Sequence, residues 1–371
     1  MNLPIHKGGL GLRNNYLTSR VAFAASILEE NHRLWQASLD DLLTHELKLF
    51  VEFGKALVTL GVGANVAYNL TYNPTKGSIQ HQLQVIVDEL EFTRIQSVCD
   101  ANAEKAAWWR SIQGEEAGSW LSCLPTYQKL KLSNEEFRAA LCYRCFLKSP
   151  RHIHGTRCSC KKHPILDERG HHLATACPKG GQRFVTHDSL VNEMNKILNY
   201  CGYKTKVEES GLFNEFTDDN RNLRPDISIY NPSGSSTTRL LLDIGVTAPV
   251  LGPAGAASNK YFNEKMIKYS NACITLGFGF LPIIFESTGL LHPKAKSYIK
   301  SLADRAADFR KIPASVLYQY FLKRLSMQLQ KGISNAINSR YLSLCDTYGS
   351  VARDPGFNAD IISSSSSSSV E

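Results

Sequence analysis

Arg224-Pro225-Asp226-Ile227-Ser228-Ile229-Tyr230 and, after a polar link at 231–238, Arg239-Leu240-Leu241-Leu242-Asp243-Ile244-Gly245-Val246-Thr247 read as the two strands of a hairpin. In the first strand Ile227 and Ile229 alternate with Asp226, Ser228 and Tyr230; in the second Leu240, Leu242, Ile244 and Val246 alternate with Leu241, Asp243, Gly245 and Thr247. The link, Asn-Pro-Ser-Gly-Ser-Ser-Thr-Thr, is turn chemistry throughout. A turn symmetric about its middle sets Asp226 opposite Asp243. Opposed side chains of an antiparallel pair have Cβ atoms roughly 4.5–5.5 Å apart, and two carboxylates that close repel unless a proton or a cation sits between them. Oxygen ligands of this kind, completed by water and phosphate, are what Mg²⁺ takes in phosphodiester chemistry. The plainer alternative is a hairpin with two solvated acids.

Downstream, 259–272 has helical spacing, and Lys265, Lys268 and Tyr269 fall at i, i+3 and i+4 along one side. A lysine beside a metal-bound phosphate stabilises the charge of the transition state; an exposed basic helix face would need the same residues. Gly245 stands two residues after Asp243. Glu193, Glu208 and Glu209 are candidates for a third acid, with solvated surface charge as the alternative for each.

Upstream lies a Cys/His cluster. Cys158 and Cys160 are separated by one residue, His172 follows after eleven, and Cys177 after four more. Three thiolates and an imidazole suffice for a closed tetrahedral zinc site, and the surrounding loop-rich sequence holds little apolar material for an ordinary core, so a metal would supply stability. His171 is an alternative to His172, and scattered free thiols are the alternative to the site. Cys142 and Cys145 form a rival pair, but Phe137, Leu141, Tyr143 and Phe146 around them read as a buried helix in which cysteine is a small hydrophobe.

The formal charge of the chain is +8. Residues 140–190 alone hold nine Lys/Arg against three Asp/Glu, and six of the eleven histidines, so the excess sits on the cluster and its approach. Arg151, Arg157, Lys161, Lys162, Arg183 and His187 are the candidate nucleic-acid contacts, with a solvated basic loop as the alternative. Thr186 is expected to N-cap a helix whose apolar stripe is Leu190, Met194, Ile197, Leu198 and Cys201, with His187 at its start, ordering the cluster, approaching phosphate or making a structural hydrogen bond.

The remaining sequence frames these motifs. Residues 281–285 read as an interior strand and 301–342 as two helices over the sheet. Residues 17–28, 39–49 and 83–95 have helical periodicity, and nothing in 1–135 carries chemistry; Trp108-Trp109-Arg110 reads either as core packing or as a base-stacking surface. The Gly8-Gly9-Leu10-Gly11 run lacks the strand context of a phosphate loop. The long uncharged runs, 56–75 and 269–285, are broken by Gly, Asn and Pro, so neither reads as a membrane span. Ten cysteines without a recognisable signal peptide point to a reducing compartment and metal ligation over disulfides. The Ser-rich 363–369 reads as a disordered tail. The units expected are a helical connector at 1–135, a basic zinc knuckle with its approach helix at 136–186, an α/β domain at 187–342 and a tail at 343–371.

Arg-Pro-Asp, a second Asp on the following strand and a later Lys-x-x-Lys-Tyr resemble the restriction-like endonuclease domain of site-specific non-LTR retrotransposons, a branch of the PD-(D/E)xK nucleases. The Cys/Cys/His/Cys cluster upstream and Leu3-Pro4-Ile5 with Gly8-Gly9-Leu10-Gly11-Leu12 are similar, respectively, to the knuckle of that family and to the segment after its polymerase palm. The resemblance implies a restriction-endonuclease-like α/β core, a mixed sheet flanked by helices, preceded by a zinc knuckle and a mainly helical region. It further implies that Asp226 and Asp243 hold Mg²⁺ or Mn²⁺, with Lys265 catalytic, displaced onto the next helix, and Lys268 and Tyr269 supporting it. Structural Zn²⁺, a DNA substrate with element RNA as a further partner, no organic cofactor, and nuclear residence follow from the same resemblance. The aromatic-Ala-Asp-Asp motif of a reverse transcriptase is missing, so no polymerase activity is expected of what reads as the C-terminal part of a polyprotein. The competing expectation is a catalytically inert, zinc-containing nucleic-acid-binding remnant.

Overall fold

A computed structural model describes residues 3–12, 14–34, 43–70, 77–114, 116–126, 128–149, 157–162, 164–179, 181–216, 222–230 and 238–348. The hairpin link at 231–237, Arg151 and the serine run lie outside the described residues. The chain forms two units, Met1–Ser122 with Pro249–Ala256, and Cys123–Ala248 with Ala257–Glu371.

The first unit is helical: α1 (Asn15–Leu34), α2 (Leu43–Leu60), α3 (Ala64–Tyr68), α4 (Ile79–Asp100) and α5 (Ala103–Ile112). Val21, Ala25 and Leu28 of α1 meet Phe53 and Leu57 of α2 and Leu83 and Val87 of α4 in one apolar core, as the i, i+3, i+4 spacing requires. Trp108 and Trp109 are both buried, and the Trp109 Nε1 donates to Gln96 Oε1 at 2.8 Å. The indoles are core, which removes the base-stacking reading of that pair.

The second unit opens with α6 (Asn134–Arg144), started by a reciprocal cap in which Ser133 and Glu136 each accept from the other's backbone N–H. The Cys/His segment follows, then α7 (Gln182–Tyr200), β1 (Lys204–Val207), β2 (Ile227–Tyr230), β3 (Arg239–Thr247), α8 (Ala256–Thr275), β4 (Phe278–Glu286), α9 (Pro293–Arg310) and α10 (Ala314–Tyr348). The sheet runs β1-β2-β3-β4. β1 and β2 are antiparallel, as are β2 and β3, whereas β4 is parallel to β3 and reached through α8, the crossover that a parallel neighbour demands. The unit is therefore mixed α/β with a small mixed sheet.

Residues at the middle of β3 are buried, polar ones included. Ser228 on β2 is buried as fully as Ile227, so the simple inside/outside alternation of a half-covered sheet gives way to cover on both faces. Across one face lies α8, whose Tyr269, Ala272 and Cys273 pack with Leu241. α7 begins at Gln182, behind Gly181 in the left-handed region (φ 71°). Thr186 is therefore inside the helix and not its cap: its Oγ1 donates to Gln182 O at 2.9 Å. The domain boundary expected between 186 and 187 cuts through this helix, because Gln182 and Arg183 are polar and the exposed Phe184 and Val185 do not continue its apolar stripe. Thr186 also faces Gly332 of α10, where a Cβ would come within 2.4 Å of the threonine methyl; glycine there lets α10 approach α7. α10 itself runs to Tyr348, past the start expected for the tail.

Candidate active site and metal centre

Cys158, Cys160, His172 and Cys177 each offer a ligand atom, and the four atoms lie within 4.8 Å of one another. The Cys158 and Cys177 sulfurs are 3.5 Å apart, and Cys160 Sγ is 3.5 Å from His172 Nε2. Bonds of about 2.0–2.3 Å to a tetrahedral zinc place ligand atoms roughly 3.3–3.8 Å from each other, while a disulfide would need about 2.05 Å. All three cysteines are buried. The cluster could hold a metal such as zinc.

Backbone geometry explains how one bite of Cys-x-Cys and one of His-x4-Cys converge. Cys158 N–H donates to Pro164 O at 2.9 Å, and Arg157 bridges to Ile165, which brings Cys158 beside Pro164. His172–Ala176 forms a π-helical turn, and Cys177 N–H reaches back to His172 O at 2.8 Å. Of the two neighbouring histidines His172 joins the thiols, whereas His171 packs edge-on against Tyr143, ring centroids 5.7 Å apart. Cys142 and Cys145 stay on and beside α6, their thiols pushed up by burial. Lys161 and Lys162 stand exposed on the loop, and Arg157 is exposed at its base.

The second constellation grows from the hairpin. Ile227 pairs with Leu242, Ser228 with Leu241, Ile229 with Leu240 and Tyr230 with Arg239, the register expected from a symmetric link. Continued one step, it brings Asp226 to Asp243. Asp226 N–H donates to Leu242 O at 3.0 Å, and Asp226 Oδ2 accepts from the Ile244 backbone N–H. Asp243 is buried, 3% exposed. Burial, and then the Asp226 charge, hold its carboxyl above the usual range, against the pull of Lys265 and His187.

Lys265 reaches this pair from α8: its Nζ lies 2.7 Å from Asp243 Oδ2. Burial pulls the ammonium down, but the Asp243 contact outweighs it, and the net shift is upward. The position of Gly245 explains the helix placement. A Cβ at 245 would come within 2.6 Å of the Tyr261 ring and 2.9 Å of Ile284, so glycine lets Tyr261 press α8 onto β3. Lys265 sits one turn beyond Tyr261, its Nζ 5.5 Å from that ring centroid. The glycine two residues after Asp243 is thus what admits Lys265 from the helix.

Tyr269 acts from the same helix as a brace. Its hydroxyl donates to Arg224 O at 2.9 Å, and its ring stacks on Phe280 at 4.5 Å, fixing the Arg224-Pro225-Asp226 segment against α8. Lys268 does not join the acids: it is exposed, with its Nζ 5.2 Å from the Tyr269 centroid, because Tyr269, and not Lys268, is the residue that packs against Leu241 and Phe280. The three glutamates are engaged elsewhere. Glu193 pairs with Arg324 and Lys196, Glu208 with Arg224, and Glu209 with Lys206, Arg239 and the Tyr230 hydroxyl.

Of the roles expected for it, His187 shows a hydrogen bond, to a partner, Asp226, that the sequence did not indicate. Its Nε2 lies 3.2 Å from Asp226 Oδ2, and its Nδ1 lies 3.2 Å from Asp188 Oδ1. The hydrogen bond to Asp226 raises the imidazole to about 9 despite burial, so it is an imidazolium at neutral pH. A cleft of about 290 Å³ opens here, with Ala174 and Thr175 of the Cys/His segment, Arg183 and His187 of α7, Gly245 of β3 and Lys265 of α8 on its walls. Among the described residues, no helix is long and apolar enough to cross a membrane. Comparison with protein-family models and with curated proteins found no match.

Proposed function

We propose that this chain is a divalent-metal-dependent DNA endonuclease with a restriction-like core, nicking target DNA for insertion of a non-LTR retrotransposon, in the nucleus. One observation carries this reading: Asp226, Asp243 and Lys265, distant in sequence, come together with the lysine amine 2.7 Å from the second acid, beside a cleft that Lys265 and His187 line. The element order, a mixed sheet between helices, supports it.

The donor set fits a hard cation. Two carboxylates face each other on adjacent strands, one of them held above its usual range by burial and by the other's charge, and bound Mg²⁺ or Mn²⁺ would relieve that repulsion. Asp226 and Asp243 would hold the ion, which supplies Lewis-acid activation of the phosphate and a nucleophilic water. Lys265 carries positive charge into a buried site, where it offsets the charge developing on the phosphoryl oxygens. The His187 imidazolium balances Asp226 and orients it. Tyr269 holds the first acid's segment in register. Zn²⁺ on Cys158, Cys160, His172 and Cys177 keeps the adjoining wall of the cleft folded, and exposed Arg157, Lys161, Lys162 and Arg183 draw in the phosphate backbone.

Purified protein with supercoiled plasmid and Mg²⁺ tests this reading, alongside Asp226→Ala and Asp243→Ala variants of matched zinc content. Nicking by the parent alone supports the endonuclease. Salt-sensitive DNA binding without nicking turns the reading to an inert binding remnant, a role compatible with both acids being neutralised by His187 and Lys265.

A further inference from the structure

The first turn of α7 separates two concavities. On one side is the cleft already described. On the other, a groove of about 590 Å³ runs between α7 and α10, lined by Gln182, Asn192, Lys196, Gln328, Lys331 and Asn335 among others. Between them stand Phe184, which is 56% exposed, and Val185, which is 55% exposed. Phe184 lines the cleft and Val185 the groove. An exposed Phe-Val pair at the start of a helix is costly to leave in water, and neighbouring Arg183 covers the phenyl ring only from 5.1 Å.

We propose that this ridge and both concavities bind an unpaired stretch of DNA, so that the preferred substrate has single-stranded character beside the scissile phosphate. The inference rests on the endonuclease reading for its choice of DNA. Three features point to this occupant. The cleft, of about 290 Å³, has the cations of Arg183 and Lys265 on its walls, which suit a phosphate group. The groove beyond the ridge offers amides, which hydrogen-bond to exposed base edges, and two lysines, Lys196 held at 3.4 Å by Glu193, which also lines the groove, and Lys331 donating to Lys131 O at 2.9 Å. Phe184 at the crest presents an aromatic face on which a base can stack, an interaction worth about 1–3 kcal/mol per base in single-strand binders. A paired duplex shields both the faces and the Watson–Crick edges that these groups address.

The experiment is fluorescence anisotropy with the zinc-loaded full chain and Ca²⁺ in place of Mg²⁺. One labelled DNA sequence is presented as a single strand, as a duplex and as a duplex with a short central bubble; RNA of the same sequence is the fourth probe. The expected result is tighter binding of the single strand and the bubble than of the duplex. Phe184→Ala should weaken the first two by about 5- to 100-fold and leave the duplex unchanged, with Phe184→Trp restoring the affinity. Asn192→Ala and Asn335→Ala should weaken single-strand binding alone. Equal affinity for single strand and duplex, indifference to Phe184→Ala, or tighter binding of the RNA would overturn the inference. Binding is read without cleavage, so the two readings fail separately. Phe184-dependent single-strand binding by a protein that nicks nothing removes the endonuclease only; Asp243-dependent nicking with no strand preference removes this inference only.

Discussion

The second unit holds two clusters suited to cations, and they differ in kind. The Cys/His cluster is compact: soft donors, buried sulfurs and four ligand atoms within 4.8 Å of one another. The acid pair has hard donors engaged by Lys265 and His187, and those two side chains line a cleft. A closed tetrahedral set leaves no position for a substrate, whereas an open one does. Residues of the π-helical turn, Ala174 and Thr175, stand on the wall of the cleft that Lys265 and His187 also line.

The contrast is broken most forcefully by stripping zinc. Structural zinc sites contribute about 10–16 kcal/mol in small domains, comparable with or larger than the whole stability of a typical protein. Chelation or Cys177→Ser should abolish the cooperative melt of the Cys/His segment, monitored by amide exchange at 157–179. Retention of exchange protection there would make the cluster a set of free thiols. Asp243→Ala comes next, with an expected loss of about 1000-fold or more in plasmid nicking, and Lys265→Met about 100- to 1000-fold; neither should alter the zinc content. An active Lys265→Met would move the catalytic cation elsewhere.

Gly245→Ala sharpens the role assigned to the glycine. The new methyl meets Tyr261, so overpacking of about 1–3 kcal/mol is expected, with nicking reduced because α8 must shift. A second change, Tyr261→Ala, should recover part of the stability in a double-mutant cycle of thermal unfolding. The smallest effect concerns His187. Its folded value of about 9 lies above the ordinary 6.5, so its contribution is fully present below pH 6.5 and lost as pH rises through about 9. The melting-temperature difference between the parent and His187→Gln, measured without Mg²⁺, should therefore shrink from pH 6 to pH 10. A constant difference would mean that the imidazole serves packing alone.

Particular residues show what was legible in the chain. Alternation and a symmetric link were enough to align Asp226 with Asp243, because a period-two pattern with one apolar face tolerates no one-residue slip. Ligand chemistry and spacing were enough to choose Cys158, Cys160 and Cys177, but the choice between His171 and His172 depended on which imidazole the π-helical turn aims inward. Lys268 and Tyr269 show the limit of a helical step: three and four residues from Lys265 give adjacent positions, but only packing against Phe280 and Leu241 decides which is buried. The start of α7 was hidden because Gln182 and Arg183 are polar, and its cap is a glycine without a side-chain bond. A signal for Tyr261 was present, since it precedes Lys265 by four residues on one helix face; nothing marked it as the partner of Gly245.

Sequence by itself determined the donors, their chemical softness and the strand register, since these depend on residue type and local period. Tertiary structure alone decided that His187 pairs with Asp226, that Lys265 and not Lys268 reaches Asp243, and that none of the three glutamates joins them. Those outcomes depend on how α7 and α8 rotate against the sheet, and the rotation is set by close contacts at Gly332 and Gly245, between residues that no local pattern connects.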